Sequence, residues 1–328
     1  MVTGGAGYIG AHVVRALLAS GREVFVIDDL STGVASRLPD EVEHLAGSVT
    51  DSEFLASSMR RIEPTGIIHL AGKKSPTDSV ADPLLYAREN VGGVISLLEA
   101  VRRTGATRVV FSSSCSVYGT PMTDRVAEDA PKTPESPYGD SKLYCERLLS
   151  AEAAACGLGM ISLRYFNVVG AAEPALADTG HRNLIPQVFE AIRHGRAPRV
   201  FGDDYPTADG ICVRDYVDVE DVADAHVQAA AALEQQRRVA AYNVGGGTGS
   251  SVLQVLDAIR LVSGHSFEAE ILPRRRGDPA RIVGEVDLIA NELGWSTSRG
   301  LTDMVRSAWQ ADSDRESLQA DRLPHNYR

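Results

Sequence analysis

Tyr138 and Lys142, in the run Tyr-Gly-Asp-Ser-Lys, stand four residues apart. On a helix that spacing puts both side chains on one face. A tyrosine with an ordinary pKa of about 10 is a poor base at neutral pH. A nearby lysine cation stabilises the phenolate and lowers that value. The tyrosine then serves as acid and base for a sugar or alcohol hydroxyl. Ser112-Ser113-Ser114 closes the apolar run 108–113. If that run is a parallel strand, the serines lie at the carboxyl edge where ligands bind in open α/β sheets. A serine there can hydrogen-bond the reacting oxygen.

The N-terminus supplies a second pattern, Thr3-Gly4-Gly5-Ala6-Gly7-Tyr8-Ile9-Gly10. It reads as G-x-x-G-x-x-G through Gly4, Gly7 and Gly10, and as G-x-G-x-x-G through Gly5, Gly7 and Gly10. Such glycines allow a tight turn, close approach of backbone to a pyrophosphate, and close packing of helix on strand. The helix that follows points its N–H groups at the phosphates. Asp28 ends the next apolar run roughly 20 residues on, where an acid binds the adenosine ribose hydroxyls. Asp28 and Asp29 repel a 2′-phosphate and no arginine adjoins them, so the pattern favours NAD over NADP. Only Met1, Val2 and Thr3 precede the glycines, against the ordinary strand of about 5 residues. A truncated strand or a start assigned late would each give this short opening.

These residues need a scaffold, and the hydrophobic pattern provides one. Short apolar runs at 23–28, 66–70, 108–113 and 159–165 read as buried strands. Helical stretches at 11–20, 91–104 and 141–156 lie between them, and the alternation argues for a parallel sheet covered on both faces. After Gly170 the pattern loosens. Helices are expected at 183–195, 219–234 and 252–262, with a loop at 245–249 and a basic turn at 273–279. The fold class is therefore α/β, a Rossmann doubly wound parallel sheet with a smaller mixed α/β C-terminal domain. We expect an NAD-binding domain over 1–168, to which a stretch of roughly 205–232 returns, and a substrate domain over 169–328.

Composition narrows the function. The 328 residues carry a net charge of −11, which opposes nucleic-acid binding. The four cysteines, Cys115, Cys145, Cys156 and Cys212, have no CxxC spacing, and the eight histidines form no HxH or HExxH cluster. Neither a disulfide framework nor a metal site is expected. No apolar run approaches the roughly 18 residues of a membrane span, and no signal peptide is evident, so the cytoplasm is expected. The polar stretch from Asp312 onward is the segment whose composition allows disorder.

Further motifs follow in one order: HLAGKKS (69–75), SSSCSVYG around Ser114, SPYGDSK, RYFNVVG, FGDDYPTADG (201–210), VRDYVDVEDVADAH (213–226), YNVGGG (242–247) and RRRGDPA (274–280). Together with TGGAGYIG they resemble the extended short-chain dehydrogenase/reductase superfamily, and within it the UDP-glucose 4-epimerases. The resemblance spans Val2 to about Trp309, and several of the motifs belong to epimerases rather than to the superfamily at large. It implies a UDP-hexose substrate, NAD, and a homodimer packed through helices near 91–104 and 141–156, where Gly92, Gly93, Ala151 and Ala153–Ala155 are small. Catalysis would rest on Ser114, Tyr138 and Lys142. Tyr138 would take the proton of the sugar 4-hydroxyl, Ser114 would hydrogen-bond the 4-oxygen, and Lys142 would hold the nicotinamide ribose. Implied cofactor contacts are Gly4, Gly7, Tyr8, Ile9 and Gly10, then Asp28, Asp29, Ser31 and Thr32, then Ser48, Val49, Leu70 and Ala71. Lys74 and Asn90 match further cofactor positions, and Phe166 would lie against the nicotinamide. Asn167, Asn183, Leu184, Phe201, Arg214, Arg275 and Asp278 match positions that hold the UDP-sugar. Two arginines make sense as diphosphate clamps in an acidic chain.

The chain departs from that family at four places. Ser48 replaces an aspartate near the adenine, residues 73–77 replace Leu-Lys-Ala-Val-Gly, and the segment 171–182 is short. Ile282 occupies the position whose size is expected to decide whether N-acetylated sugars fit. Another nucleotide sugar, a UDP-N-acetylhexosamine or a dTDP- or other NDP-hexose, therefore stands as the alternative substrate. The related 4,6-dehydratases carry Asp-Glu where this chain has Cys115-Ser116, so elimination lacks its acid and base. A keto-sugar reductase would need exchangeable cofactor, more often NADPH, which Asp28 opposes. A non-catalytic NAD sensor would have no need of Ser114, Tyr138 and Lys142 together.

Overall fold

A computed structural model of the chain describes residues 1–180, 182–275 and 278–322. The first part runs β1 (Val2–Thr3), α1 (Tyr8–Ala19), β2 (Phe25–Asp28), β3 (Glu43–Ala46), α2 (Ser52–Ile62), β4 (Ile67–His69), α3 (Pro76–Ala81) and α4 (Pro83–Tyr86). A π-helical turn over Ala87–Gly92 leads into α5 (Gly93–Thr104), β5 (Arg108–Ser114), α6 (Pro137–Cys156) and β6 (Gly159–Tyr165). The rest comprises β7 (Asn167–Val169), α7 (Leu184–Arg193), β8 (Arg199–Phe201), β9 (Val213–Asp218), α8 (Val219–Gln235) and β10 (Val239–Val244). It ends with β11 (Gly249–Ser251), α9 (Val252–Ser263), β12 (Glu270–Leu272), β13 (Arg281–Ile282), α10 (Asp287–Leu293) and α11 (Leu301–Arg322).

Seven strands form one parallel sheet in the order β3-β2-β1-β4-β5-β6-β10. All seven residues of β6 are buried, as a strand covered on both faces requires. One face packs Val13, Val14 and Leu17 of α1 with Val222, Ala225 and Ala229 of α8 over Ile161, Leu163 and Tyr242. The other packs Leu55 and Met59 of α2, Leu97 of α5 and Leu149 of α6 over Val109, Phe111 and Met160. The strand order reverses between β1 and β4, which opens a crevice at their carboxyl ends. A third core joins α7, α9 and α11 through Phe189, Ile259 and Val305. Beside it lie the β11-β9-β13 sheet, to which β7 adds on β9, and the two-stranded β8-β12 pair.

The structure is the Rossmann-type α/β fold the pattern implies, with corrections of detail. The helix after the glycines begins at Tyr8 rather than residue 11. The catalytic helix begins at Pro137 rather than 141, because Ser136 caps it by accepting from Gly139 N and Pro137 suits a first helical position. β3, α2 and β10 are additional elements. β3 shows no buried residue, so its sequence lacks an apolar run. The expected disorder after Asp312 is overturned as far as Arg322, because α11 continues there and Ala311 and Asp312 are buried. Residues 323–328 lie outside the described residues, as do Arg276 and Gly277 of the basic turn and His181 of the short segment.

Candidate active site

The glycine turn fits between β1 and α1 because side chains are excluded there. Gly4 has φ +75°, and a Cβ on it would lie 2.6 Å from Ala71 N, at the end of β4. A Cβ on Gly10 would lie 2.1 Å from Gly4 O. Gly7 precedes α1 with extended backbone and no side-chain cap, so the first-turn amides, Tyr8 and Ile9 included, are left without intrahelical acceptors. The Tyr8 phenol is buried and donates to Gly170 O at 2.6 Å, tying the turn to the segment after β7. Lys74 Nζ lies 5.9 Å from the Tyr8 ring centroid.

Asp28 is buried at the end of β2 and accepts from Ala6 N and Leu30 N, each at 2.9 Å. Leu30 has φ +58°, uncommon for a residue with a side chain, so Asp28 also fixes the turn that follows it. Asp29, Ser31 and Thr32 are exposed beside it. Burial works against the Asp29 carboxylate, yet the Ser31 hydrogen bonds and Lys73 outweigh it, and its pKa falls below the ordinary value. The nearby arginine, Arg37, turns away to Ala177 O and Thr179 Oγ1. Ser48 Oγ is bonded to Thr50 Oγ1 at 2.8 Å, and Val49 is a core side chain rather than an open contact. Asn90 does not face open space. It lies in the π-helical turn, accepts from Lys73 N at 2.8 Å, and donates to Lys73 O and Ser141 Oγ. It therefore joins the loop after β4, which opens with Leu70 and Ala71, to the catalytic helix.

Ser114, Tyr138 and Lys142 come together at the carboxyl end of β5, each less than one tenth exposed. The Ser114 hydroxyl lies close enough to the Tyr138 phenol to favour its ionised form, and it donates to Ser116 Oγ at 3.2 Å. It also accepts from Ser116 N at 3.2 Å. Lys142 Nζ donates to Ser112 O at 2.8 Å and lies 6.0 Å from the Tyr138 ring centroid. Burial pushes the Tyr138 phenol up to about 12, against the pull of the Ser114 hydroxyl. Burial likewise pushes the Lys142 ammonium down to about 8. In the free protein, then, the lysine does not make the tyrosine a base, because removal from water disfavours both charges.

The residues expected to hold a substrate come from β7, α7, β8, β9 and the stretch between β12 and β13. Arg214 on β9 is mostly buried, donates to Val213 O at 2.8 Å and pairs with Asp278. Burial works against its charge, but Asp278 outweighs that and raises its pKa. Cys115, the neighbour of Ser114, lies within electrostatic reach of Arg214 and Asp215. The Arg275 guanidinium stacks on Phe201 at 3.6 Å. Asn167 sits opposite Tyr216 in the β7–β9 pairing, Asn183 pairs with Asp178, and Leu184 is half-buried at the start of α7. Phe166 is buried among Cys115, Leu143 and Ile282.

Residues 1–245 match the NAD dependent epimerase/dehydratase family. The chain belongs to this family. It is 38% identical to the UDP-glucose 4-epimerase of Lacticaseibacillus casei, over 94% of this chain and 95% of that protein. It is 41% identical to the UDP-glucose 4-epimerase of Azospirillum brasilense, over 98% and 94%. The crystal structure of a UDP-glucose-4-epimerase from Stenotrophomonas maltophila, with NAD and formylated UDP-arabinopyranose bound, superposes with a TM-score of 0.92 at 38% identity, covering 97% of this chain and 98% of that one.

As a member of an NAD-dependent family, the chain has a crevice that suits that cofactor. The glycine turn leaves amides free where a Cβ would fill the space, and a buried carboxylate waits at the end of β2. Three residues of the epimerase/dehydratase site escaped the sequence patterns. Tyr86 packs edge-on to Tyr138 at 6.2 Å, Ser79 Oγ accepts from Tyr138 N at 3.1 Å, and Asp215 and Phe166 both border Gly245. They reach the site through space, so no spacing rule marks them. Among the described residues no group of three or more His, Cys, Asp or Glu could hold a metal ion, and no helix is long and apolar enough to cross a membrane.

Proposed function

We propose that this protein is a UDP-glucose 4-epimerase, interconverting UDP-galactose and UDP-glucose with NAD retained between turnovers. The observation that carries this reading is the meeting of Ser114, Tyr138 and Lys142 beside the glycine crevice, with Arg214 in electrostatic reach of Cys115, the residue after Ser114. The names and near-complete coverage of the relatives support it. When bound, NAD supplies a reversible hydride acceptor for the sugar C4 and a positive charge beside Tyr138. Gly4, Gly7 and Gly10 would border its diphosphate, Asp28 its adenosine ribose, and Lys142 its nicotinamide ribose. Tyr138 takes the proton of O4 and returns it, and Ser114 holds that oxygen in place throughout. Inversion requires the sugar to present each face of C4 in turn, so its diphosphate must stay anchored. Arg214 and Arg275 would do this.

The enzyme works, in this reading, as a cytoplasmic homodimer. Ile95 on α5 and Tyr144 on α6 are 43% and 53% exposed, large apolar groups on adjacent helices. All four cysteines are free, which suits a reducing compartment. Gly93 and Ala153 are buried within the subunit, so that interface would use the exposed Ala151, Ala154 and Ala155 instead.

The test is turnover of UDP-galactose by purified protein without added NAD, with UDP-glucose detected by a coupled dehydrogenase. Conversion supports the whole reading. Conversion only after NAD is supplied keeps the epimerase and removes the retained cofactor. If UDP-N-acetylgalactosamine alone is converted, the substrate is the N-acetylated sugar. Failure with either sugar, NAD being present, defeats the proposal.

A further inference from the structure

Beneath the sugar side of the site lies a carboxylate that the acid–base chemistry does not use. Asp215 on β9 is 1% exposed. Its Oδ1 accepts from Gly246 N at 2.6 Å, and its Oδ2 accepts from Gly247 N at 3.2 Å and Gly284 N at 2.9 Å. One side chain thus gathers three amides from two loops, one after β10 and one after β13. Burial pushes its pKa up to about 6, and the three amides draw it back.

The two loops close on Phe166. A Cβ on Gly245 would lie 2.6 Å from Asp215 Oδ2 and 3.0 Å from Phe166, and one on Gly284 would lie 2.6 Å from Phe166. Backbone approaches the ring closely here, which is a reason for glycine at both positions. Phe166 also packs with Cys115, Leu143 and Ile282. Cys115 follows Ser114, Leu143 follows Lys142, and Ile282 pairs with Arg214 across β13 and β9. The backbone at Gly245 and Gly284 therefore links Asp215 to Phe166, which shares one buried apolar cluster with the neighbours of Ser114 and Lys142.

We propose that Asp215 is a positioning residue that sets the width of the hexose pocket, by holding Gly246, Gly247 and Gly284 so that Phe166 and Ile282 stand at a fixed place. The inference rests on the epimerase reading. Without the carboxylate the three amides lose their acceptor and the loops relax outward. Galactose is then held less firmly and an N-acetyl group gains room. The UDP moiety keeps its anchor, since Arg214 is fixed separately by Asp278 and Val213 O.

The experiment measures kcat and KM for UDP-galactose and UDP-N-acetylgalactosamine, and the calorimetric Kd of UDP, for wild type, Asp215→Ala, Asp215→Asn and Gly284→Ala. Asp215→Ala is expected to raise the KM for UDP-galactose about tenfold and move the kcat/KM ratio at least about fivefold toward the N-acetylated sugar, with the Kd of UDP changed less than about twofold. Asp215→Asn should fall between. Gly284→Ala pushes Phe166 into the pocket and should move the ratio the opposite way. A ratio unchanged in the variants overturns the proposal, because loss of folded protein lowers both activities alike and leaves their ratio untouched. If Asp215→Ala does not fold, an unchanged ratio in the other two variants overturns it equally. If wild type binds UDP-galactose without turning it over, the epimerase reading falls by itself. The Kd ratio of UDP-galactose to UDP, on the same variants, then decides about Asp215. If wild type binds no UDP-sugar, both fall.

Discussion

At the Tyr138 phenol, burial outweighs the pull of the Ser114 hydroxyl, and the neighbouring Cys115 and Tyr86 act with burial, so the group is a neutral acid in the free protein. Lys142, brought down to about 8 by the same dry surroundings, is a cation held near neutrality. A phenolate forms there only when further positive charge arrives, which makes ionisation of Tyr138 depend on a filled crevice. Replacing Tyr138 with Phe removes the proton carrier and keeps the ring against Tyr86. We expect kcat to fall about 10²- to 10⁴-fold, with cofactor content and melting temperature close to wild type. Steady-state kinetics beside a denaturation scan would check this, and residual activity within tenfold of wild type would count against the role. Tyr138, Lys142 and Ser114 were legible as a set because helix spacing and a strand end bring them to one edge. Asp215, Tyr86 and Ser79 were not, since their importance lies in contacts made across the chain. Nor was the direction of the Tyr138 shift, which depends on how much water the folded site excludes.

Among the elements, α6 carries both Tyr138 and Lys142, and its rotation against the sheet decides where they point. The Arg164–Glu146 pair locks it: Arg164 Nη2 lies 2.7 Å from Glu146 Oε2, both side chains are less than one tenth exposed, and Ser113 Oγ donates to the same carboxylate. Removing Glu146 takes away the paired carboxylate of the buried Arg164 and leaves it the neutral acceptors Tyr118 Oη and Glu128 O. Glu146→Ala is therefore expected to cost about 3–5 kcal/mol, read from urea denaturation. The turn before α1 is as intolerant. Gly10→Ala sets a methyl group against Gly4 O and is expected to cost about 1–3 kcal/mol and to strip NAD during purification. Cofactor stoichiometry by absorbance checks that outcome. The sequence marked this turn clearly, because its glycines answer to backbone geometry alone. It marked the edges of the sheet poorly: β3 is half-exposed with no apolar run, and β10 returns late in the chain to pair with β6.

Over the whole molecule, three buried histidines make stability depend on pH. Burial pushes His12 and His226 down to about 4 and His69 to about 3. All three are neutral when folded and take up protons below about 6.5 when unfolded. Their contribution is complete above that pH and is lost as pH falls toward 4, at about 1.4 kcal/mol per histidine per unit. Asp215 and Asp218, pushed up to about 6 by burial, act in the opposite sense as they protonate. Melting temperature should thus drop most steeply between about pH 6 and 5.5 and more gently below about 5. A flat profile from about pH 7 to 5 would contradict this balance. The assembly is tested by light scattering on Ile95→Asp and Tyr144→Asp, each expected to halve the mass of a wild-type dimer. In the proposed reaction one buried site removes and restores the same hydrogen at C4 of a UDP-sugar. The most direct measurement uses UDP-galactose deuterated at C4, incubated in ordinary water and followed by mass spectrometry. The account predicts UDP-glucose that keeps its deuterium at C4. Loss of the label to solvent, or no UDP-glucose at all, would contradict it.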